Sequence, residues 1–338
     1  MTNLSGLLDI LVMAINSRHM KALWLENQKL EVRRQIPIPT PGPDQALIQV
    51  HKAGICTTDL ELCKGYYPFT GILGHEFVGT IVSAPNASEH IGERVVADIN
   101  ISCGRCDICC GGQPKHCRNR KVLGIWDHHG ALAQYLVLPL KNTVLVPPAI
   151  YDDWAVFAEP LAAALQIKSQ VTFTPHDRVL IIGAGMLGQL IARALAPHCR
   201  LTVMARHPFQ QQLLAAAGIL WVPEGSLKTR SYDIVIEATG NPNGFILAQK
   251  AVRPAGTVVL KSTYHGSVRV DLSSIVVDEI QLIGSRCGSM AHAVKVLSEK
   301  GIDPTPLIEA RYPLKEALTA FAHAGASGAL KVLIEMPV

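Results

Sequence analysis

"DRVLIIGAGMLGQLIARALA", residues 177–196, is the stretch that decides the fold. It opens with an apolar run ending at Ile182, passes through Gly183-x-Gly185-x-x-Gly188 with Met186 and Leu187 inside the loop, and continues as an amphipathic helical pattern. Glycines at this spacing carry little weight alone, but between a strand and a helix each has a physical reason. Gly183 makes the turn, Gly185 lets the backbone approach a pyrophosphate, and Gly188 lets helix and strand pack closely, while the helix N-terminus favours negative charge. The stretch predicts a strand-turn-helix unit that binds a dinucleotide.

The pattern continues downstream. "LTVMAR" (201–206), "YDIVIEATG" (232–240), "GTVVLKS" (256–262) and "IQLIGSR" (280–286) are β-rich runs separated by helical stretches, as in a doubly wound parallel sheet. The interval between Ala217 and Tyr232 is short, which predicts a trimmed unit there. About 20 residues past the first glycine an NAD-binding chain usually carries an acid that grips the ribose hydroxyls. Here that place holds Ala205, followed by Arg206 and His207. Without the acid a 2′-phosphate is not repelled, and Arg206 offers it a planar fork, so NADP(H) is predicted over NAD(H). The competing reading is a solvated Arg206 on an NAD-binding chain. Thr239, Gly240, Lys261 and Ser262 fall at strand ends, where cofactor contacts are expected.

The whole chain sets wider bounds. Its 338 residues exceed one hydrophobic core, predicting two domains. Hydrophobic residues make up 49% and charged residues 17%, the profile of a compact α/β protein. A net charge of +4 with scattered Lys and Arg argues against nucleic acid as a partner. The apolar run "LLDILVMAI" (7–15) is too short to span a bilayer and lacks the flanks of a signal peptide, so no membrane role is predicted. Residues 1–19 read as an extension, and the sequon at Asn86 as a coincidence.

Nine cysteines without a secretory signal argue for metal binding in a reducing, cytoplasmic setting. In "CGRCDICCGGQPKHC", Cys103, Cys106, Cys109 and Cys117 are spaced C-x2-C-x2-C-x7-C, and glycines with Pro114 supply the turns. Four thiolates so placed can close a tetrahedral shell around a structural zinc that pins a loop too polar to fold alone. A chance cluster, an iron–sulfur site, and ligation by Cys110 instead of Cys109 are the rival readings. Upstream, "GICTTDLELCKGYYPFTGILGHEF" (54–77) places Cys56 and His75 19 positions apart, a pair that taken alone often arises by chance.

In order along the chain, "GICTTD", "GHEFVG", "GERV", the four-cysteine lobe, "GALAQY", "AEPLA", "GAGMLG" and "GALKVLIE" resemble the zinc-dependent medium-chain alcohol dehydrogenases, which include the sorbitol, threonine and glucose dehydrogenases. The match runs from Met20 to Val338. It implies a GroES-like, β-rich catalytic domain (20–159 and 289–338) around an inserted Rossmann domain (160–288). By the same resemblance Cys56 and His75 are ligands of a catalytic zinc, with Glu159 preferred over Glu76 as the third, so two zinc ions per chain are implied. Asp59 matches a carboxylate that orients the ligand histidine, although an N-cap is its other reading. The implied reaction moves hydride between an alcohol and the nicotinamide, the cation having lowered the pKa of the hydroxyl.

Thr58 matches the residue that receives the alcohol proton. Glu61 stands where many members carry a relay histidine; His51, five residues before Cys56, is not that group. Lys331 matches a basic residue near the cofactor pyrophosphate, or else is a solvated lysine on an edge strand. Tyr66, Tyr67, Phe69 and Trp126 are candidates for the pocket wall. A small-molecule alcohol or carbonyl substrate and a homodimer or homotetramer are expected. The alternatives are a dinucleotide-sensing protein without turnover, an NAD(H)-linked polyol or threonine-type enzyme, and a zinc-free enoyl or quinone reductase, which lacks both zinc sites.

Overall fold

The computed structural model describes residues 19–264 and 266–337; the apolar run 7–15 lies outside them. None of the helices among these residues is long and apolar enough to cross a membrane.

Two sheet systems carry the chain. The first takes strands from both ends of the sequence: β1 (His19–Glu26), β2 (Lys29–Pro37), β3 (Gln45–Gly54), β4 (Gly71–Ile72), β5 (Glu76–Ser83), β6 (Arg94–Ala97), β9 (Tyr135–Pro139), β10 (Thr143–Leu145), β17 (Ile308–Pro313) and β18 (Lys331–Glu335). The order β10-β6-β5-β3-β18-β17 forms one sheet, β9 also pairs with β3, and β2-β1-β4 forms a smaller one. Alternation builds these strands: in β3 the residues Ala46, Ile48 and Val50 are buried while their neighbours are half-exposed. A two-stranded ribbon of β7 (Asn100–Ile101) and β8 (Lys121–Val122) closes the neck of the cysteine lobe.

The second system is a parallel sheet in the order β13-β12-β11-β14-β15-β16. Its strands are β11 (Arg178–Ile182), β12 (Arg200–Met204), β13 (Trp221–Val222), β14 (Tyr232–Glu237), β15 (Val252–Leu260) and β16 (Gln281–Gly284). Val179, Leu180, Ile181 and Ile182 of β11 are all buried, as a central strand covered on both faces requires. The two-residue β13 and a following 3₁₀ turn lead to β14 without an α-helix, the trimming that the short interval predicts.

Three expectations change in detail. β1 begins at His19, so that residue is already part of the fold. The apolar runs overshoot their strands, leaving Thr239, Lys261 and Ser285 beyond strand ends. β18 is an interior strand between β3 and β17, and its Lys331 is only 1% exposed, so this lysine is neither on an edge nor solvated.

Candidate active site

The helix α1 (Thr57–Cys63) starts beside the end of β3, and its N-cap is Cys56. Asp59 stands at the third helical position, not at the cap. Its Oδ2 accepts from the Cys56 backbone N–H at 2.9 Å, and its Oδ1 accepts from the Gly74 N–H at 3.1 Å. One fully buried carboxylate therefore fixes both segments that carry metal-ligand candidates, Cys56 at one and His75 at the other.

One ligating atom from each of Cys56, His75 and Glu76 falls within a mutual 4.8 Å. His75 Nδ1 and Glu76 Oε1 are buried without a hydrogen-bond partner among the described residues. His75 Nδ1 is 3.5 Å from Asp59 Oδ1, too far to count as a hydrogen bond. Thiol, imidazole and carboxylate converging, with one carboxylate oxygen buried and unsatisfied, fit a zinc ion. The other Glu76 oxygen pairs with Lys331, whose ammonium also donates to the Ile55 carbonyl at 3.0 Å. Burial opposes charge on Lys331, but Glu76 outweighs it and holds the ammonium above its ordinary range.

Glu159 lies in the first turn of the helix α2 (Ala158–Gln170), half-buried and outside the close group. Burial pushes its carboxyl up to about 7, with Glu76 adding to the rise and His75, Lys331 and Lys261 opposing it. Among the described residues nothing hydrogen-bonds to it.

In the lobe, Sγ–Sγ separations are 3.4 Å for Cys106–Cys109, 3.5 Å for Cys103–Cys117 and 3.8 Å for Cys106–Cys117. A tetrahedron with bonds of about 2.3 Å has edges of about 3.8 Å, so the thiols fit one zinc. Cys110 is exposed and outside the tetrad. Amides of Arg105 and Cys106 draw the Cys103 thiol down to about 6, whereas burial and the Cys106 thiol push Cys109 up to about 12. Thiols this close ionise together only with a cation among them.

The dinucleotide loop has the shape its glycines predict. Gly183 has φ +104°, and a Cβ there would stand 2.6 Å from the Ala238 carbonyl oxygen; a Cβ on Gly188 would collide with the Gly183 carbonyl. A Cβ on Gly185 would meet nothing within 4 Å. That open side lies at the N-terminus of the helix α3 (Met186–Leu195), which carries no side-chain cap, so the cradle fits a pyrophosphate. Ala205 follows β12, Arg206 is exposed with no ion pair among the described residues, and the His207 ring lies against Gly328. Thr239 donates to buried Glu237 through its N–H at 2.7 Å and its hydroxyl at 2.6 Å, and the Gly240 N–H donates to Ser262 Oγ at 2.8 Å.

Comparison with known proteins places this geometry. The Alcohol dehydrogenase GroES-like domain model matches residues 42–148, and the Shikimate / quinate 5-dehydrogenase model matches 166–274. The chain is 32% identical over 257 residues to the starvation-sensing protein RspB of Escherichia coli K12, covering 74% of this chain and 71% of that one. It is 34% identical over 247 residues to an L-threonine 3-dehydrogenase of Xanthomonas euvesicatoria pv. vesicatoria, covering 67% and 69%. The chain belongs to the zinc-dependent medium-chain alcohol dehydrogenase family.

As a medium-chain dehydrogenase it is an NAD(P)-binding oxidoreductase of the alcohol dehydrogenase type. A zinc-binding dehydrogenase of Sinorhizobium meliloti 1021, solved with NADP, superposes with a TM-score of 0.86 at 28% identity over 94% of this chain and all of its own. An RspB structure from E. coli CFT073, solved with NADH, gives 0.86 at 27% over the same shares.

Two groups of this dehydrogenase are placed unlike their sequence reading. Lys331 spends its charge on Glu76 beside the zinc-ligand candidates, not on a pyrophosphate. Lys261 is buried, donating to the Arg286 carbonyl at 2.7 Å and Ser285 Oγ at 3.2 Å. Sequence reasoning also passed over Arg120, which donates to Lys115 five residues back, and Arg286, whose partners Asn100 and Lys115 are far along the chain. The one available signal was Lys331 itself, a lysine inside the apolar run "LKVLIE".

Proposed function

We propose that this dehydrogenase reversibly oxidises a primary or secondary alcohol, polyols foremost, with NADP(H) as preferred cofactor and two zinc ions per chain. The observation that carries the reading is the contrast between its two donor sets: a closed tetrad of thiols and an open, mixed set around Cys56 and His75. Zinc in the open set would act as a Lewis acid on the substrate oxygen.

The chain's own residues supply the rest. Asp59 holds the two ligand segments in place. Thr58, half-buried in the first turn of α1, accepts the hydroxyl proton, and Glu61, three residues on and paired with exposed Lys64 at 2.8 Å, leads it outward. Thr58→Ala should lower kcat by about 10²–10⁴, the usual worth of a positioned proton acceptor, with zinc content and cofactor Kd unchanged and Thr58→Ser restoring most of the rate. Unchanged kcat in Thr58→Ala would remove Thr58 from the proton path.

For the third ligand we favour Glu159. The Glu76 carboxylate already has its counter-charge in Lys331, whereas Glu159 has no hydrogen-bond partner among the described residues. Glu76 is the nearer of the two, and zinc content of Glu76→Ala and Glu159→Ala separates them.

NADP(H) preference rests on Ala205 and on Arg206, which has no ion pair among the described residues. Arg206→Ala should weaken NADPH binding about tenfold to a hundredfold, as expected for a lost charge-assisted contact, and leave NADH nearly unaffected. Equal losses for both cofactors would overturn the 2′-phosphate role.

Pairing of two copies is also proposed. β16 is a sheet edge with exposed Leu282, and Val276 and Val277 beside it are exposed as well, an apolar strip that an isolated copy would leave uncovered.

A further inference from the structure

Four cationic side chains and a histidine gather where the cysteine lobe meets the C-terminal ends of β15 and β16. Lys115, His116 and Arg120 come from the lobe side, Lys261 and Arg286 from the parallel sheet. The Lys115 carbonyl accepts from Arg120 at 3.1 Å and from Arg286 at 2.8 Å, so two guanidinium groups share one oxygen. Arg286 also donates to Asn100 Oδ1 at 3.0 Å, Lys261 to the Arg286 carbonyl at 2.7 Å, and Lys115 to the Cys287 carbonyl at 3.5 Å.

Every one of these acceptors is neutral. None of the five side chains forms an ion pair with a carboxylate among the described residues, and Arg120 Nε is buried with no hydrogen-bond partner. Burial and the Arg286 charge hold Arg120 below its ordinary range, and burial draws Lys261 down to about 8. Cations crowded against one another without a directly bound carboxylate are costly, and an anion brought among them relieves that cost.

The cofactor's phosphates do not supply that anion. Its cradle follows β11, and in the sheet order β11-β14-β15-β16 the ends of β15 and β16 are two and three strands away. At about 4.8 Å per strand that is about 10 and 14 Å. Arg206 follows β12, on the opposite side of β11. The cluster borders the zinc-ligand candidates instead. Lys261 and Cys287 are within electrostatic reach of Glu159. Arg120 is within reach of Tyr67, whose ring meets Trp126 edge-on at 5.6 Å.

We propose that the substrate alcohol carries an anionic oxygen group, a phosphate monoester or a carboxylate, held by Arg120 and Arg286 while its hydroxyl reaches the site of Cys56 and His75. The hydroxyl half rests on the function proposed above; the anion half stands on the cluster alone. Planar guanidinium forks suit either oxyanion, and the group is bound without being transformed.

Two measurements on the full chain keep these halves apart. In calorimetric titration with inorganic phosphate, the wild type should bind saturably, and Arg120→Gln and Arg286→Gln should each weaken binding about tenfold to a hundredfold. Arg286 also joins the lobe to the sheet, so Arg120→Gln is decisive if Arg286→Gln misfolds. Absence of saturable binding by the wild type, or equal binding by Arg120→Gln, overturns the anion site whether or not any alcohol is turned over.

The second measurement compares kcat/KM within matched pairs: sorbitol and sorbitol 6-phosphate, and 1,4-butanediol and 4-hydroxybutanoate. At least one anionic member should be favoured about tenfold or more, and Arg120→Gln should erase that preference; the pair that responds identifies phosphate or carboxylate. Preference for the neutral members in both pairs overturns the proposal. Failure to turn over any of the four refutes the dehydrogenase reading for these substrates and leaves the phosphate titration to decide the anion site.

Discussion

Cys56→Ala should abolish alcohol-dependent reduction of the nicotinamide while leaving the folded chain and its cofactor binding intact. Cys56 caps α1 and offers its thiol to the open donor set, but the backbone there is held by Asp59 through the Cys56 N–H, which alanine keeps. The fold therefore survives the substitution. What disappears is a soft anionic ligand, and with it the cation that polarises the substrate. A Lewis acid worth several kcal/mol at the transition state corresponds to about a thousandfold or more in rate. The check is kcat/KM alongside NADPH affinity and a thermal melt. A Cys56→Ala protein that retained more than a tenth of wild-type turnover would remove this thiol from the active site.

Lys331→Met should be the most destabilising single change in the catalytic half. Lys331 and Glu76 are 1% and 0% exposed, and they face each other from β18 and β5 across a separation of 255 residues in the chain. Methionine fills the space of the lysine stem but leaves the Glu76 carboxylate buried with one oxygen unpaired and the other already without a partner. Orphaning one member of a buried ion pair costs about 3–5 kcal/mol. Replacing both, Lys331→Met with Glu76→Gln, should recover most of that loss. Denaturant melts of the three proteins decide the matter; equal stability of Lys331→Met and wild type would mean that zinc or water already compensates Glu76.

What was legible in the sequence was local. The turn at Gly183, the open backbone at Gly185 and the tight packing at Gly188 lie within six residues, so their spacing alone encodes the geometry. The thiol tetrad spans 103–117 and is closed by turns that its own glycines and proline provide, again without help from elsewhere. The catalytic half was harder. Cys56 and His75 gained meaning only from the ordered set of motifs, and the distance between them is set by Asp59, which ties both segments through backbone amides that no sequence pattern displays.

The residues misread or missed act across long stretches of chain. Lys331 reads as a surface lysine because its strand seems terminal, yet parallel β17 covers one side and β3 the other. Arg286 reaches Lys115 over 171 positions, and Lys261 turns inward to the loop after β16. The Arg286–Lys115 contact is fixed by how the lobe meets the parallel sheet and the burial of Lys331 by strand pairing across the chain, and composition and periodicity carry no signal of either.

Zinc content per chain tests the central claim most directly. Metal analysis of the purified protein should give two zinc ions in the wild type, one in Cys56→Ala and one or none in Cys106→Ala, since the lobe depends on its metal to fold. A wild-type content of one, unchanged in Cys56→Ala, would contradict the account.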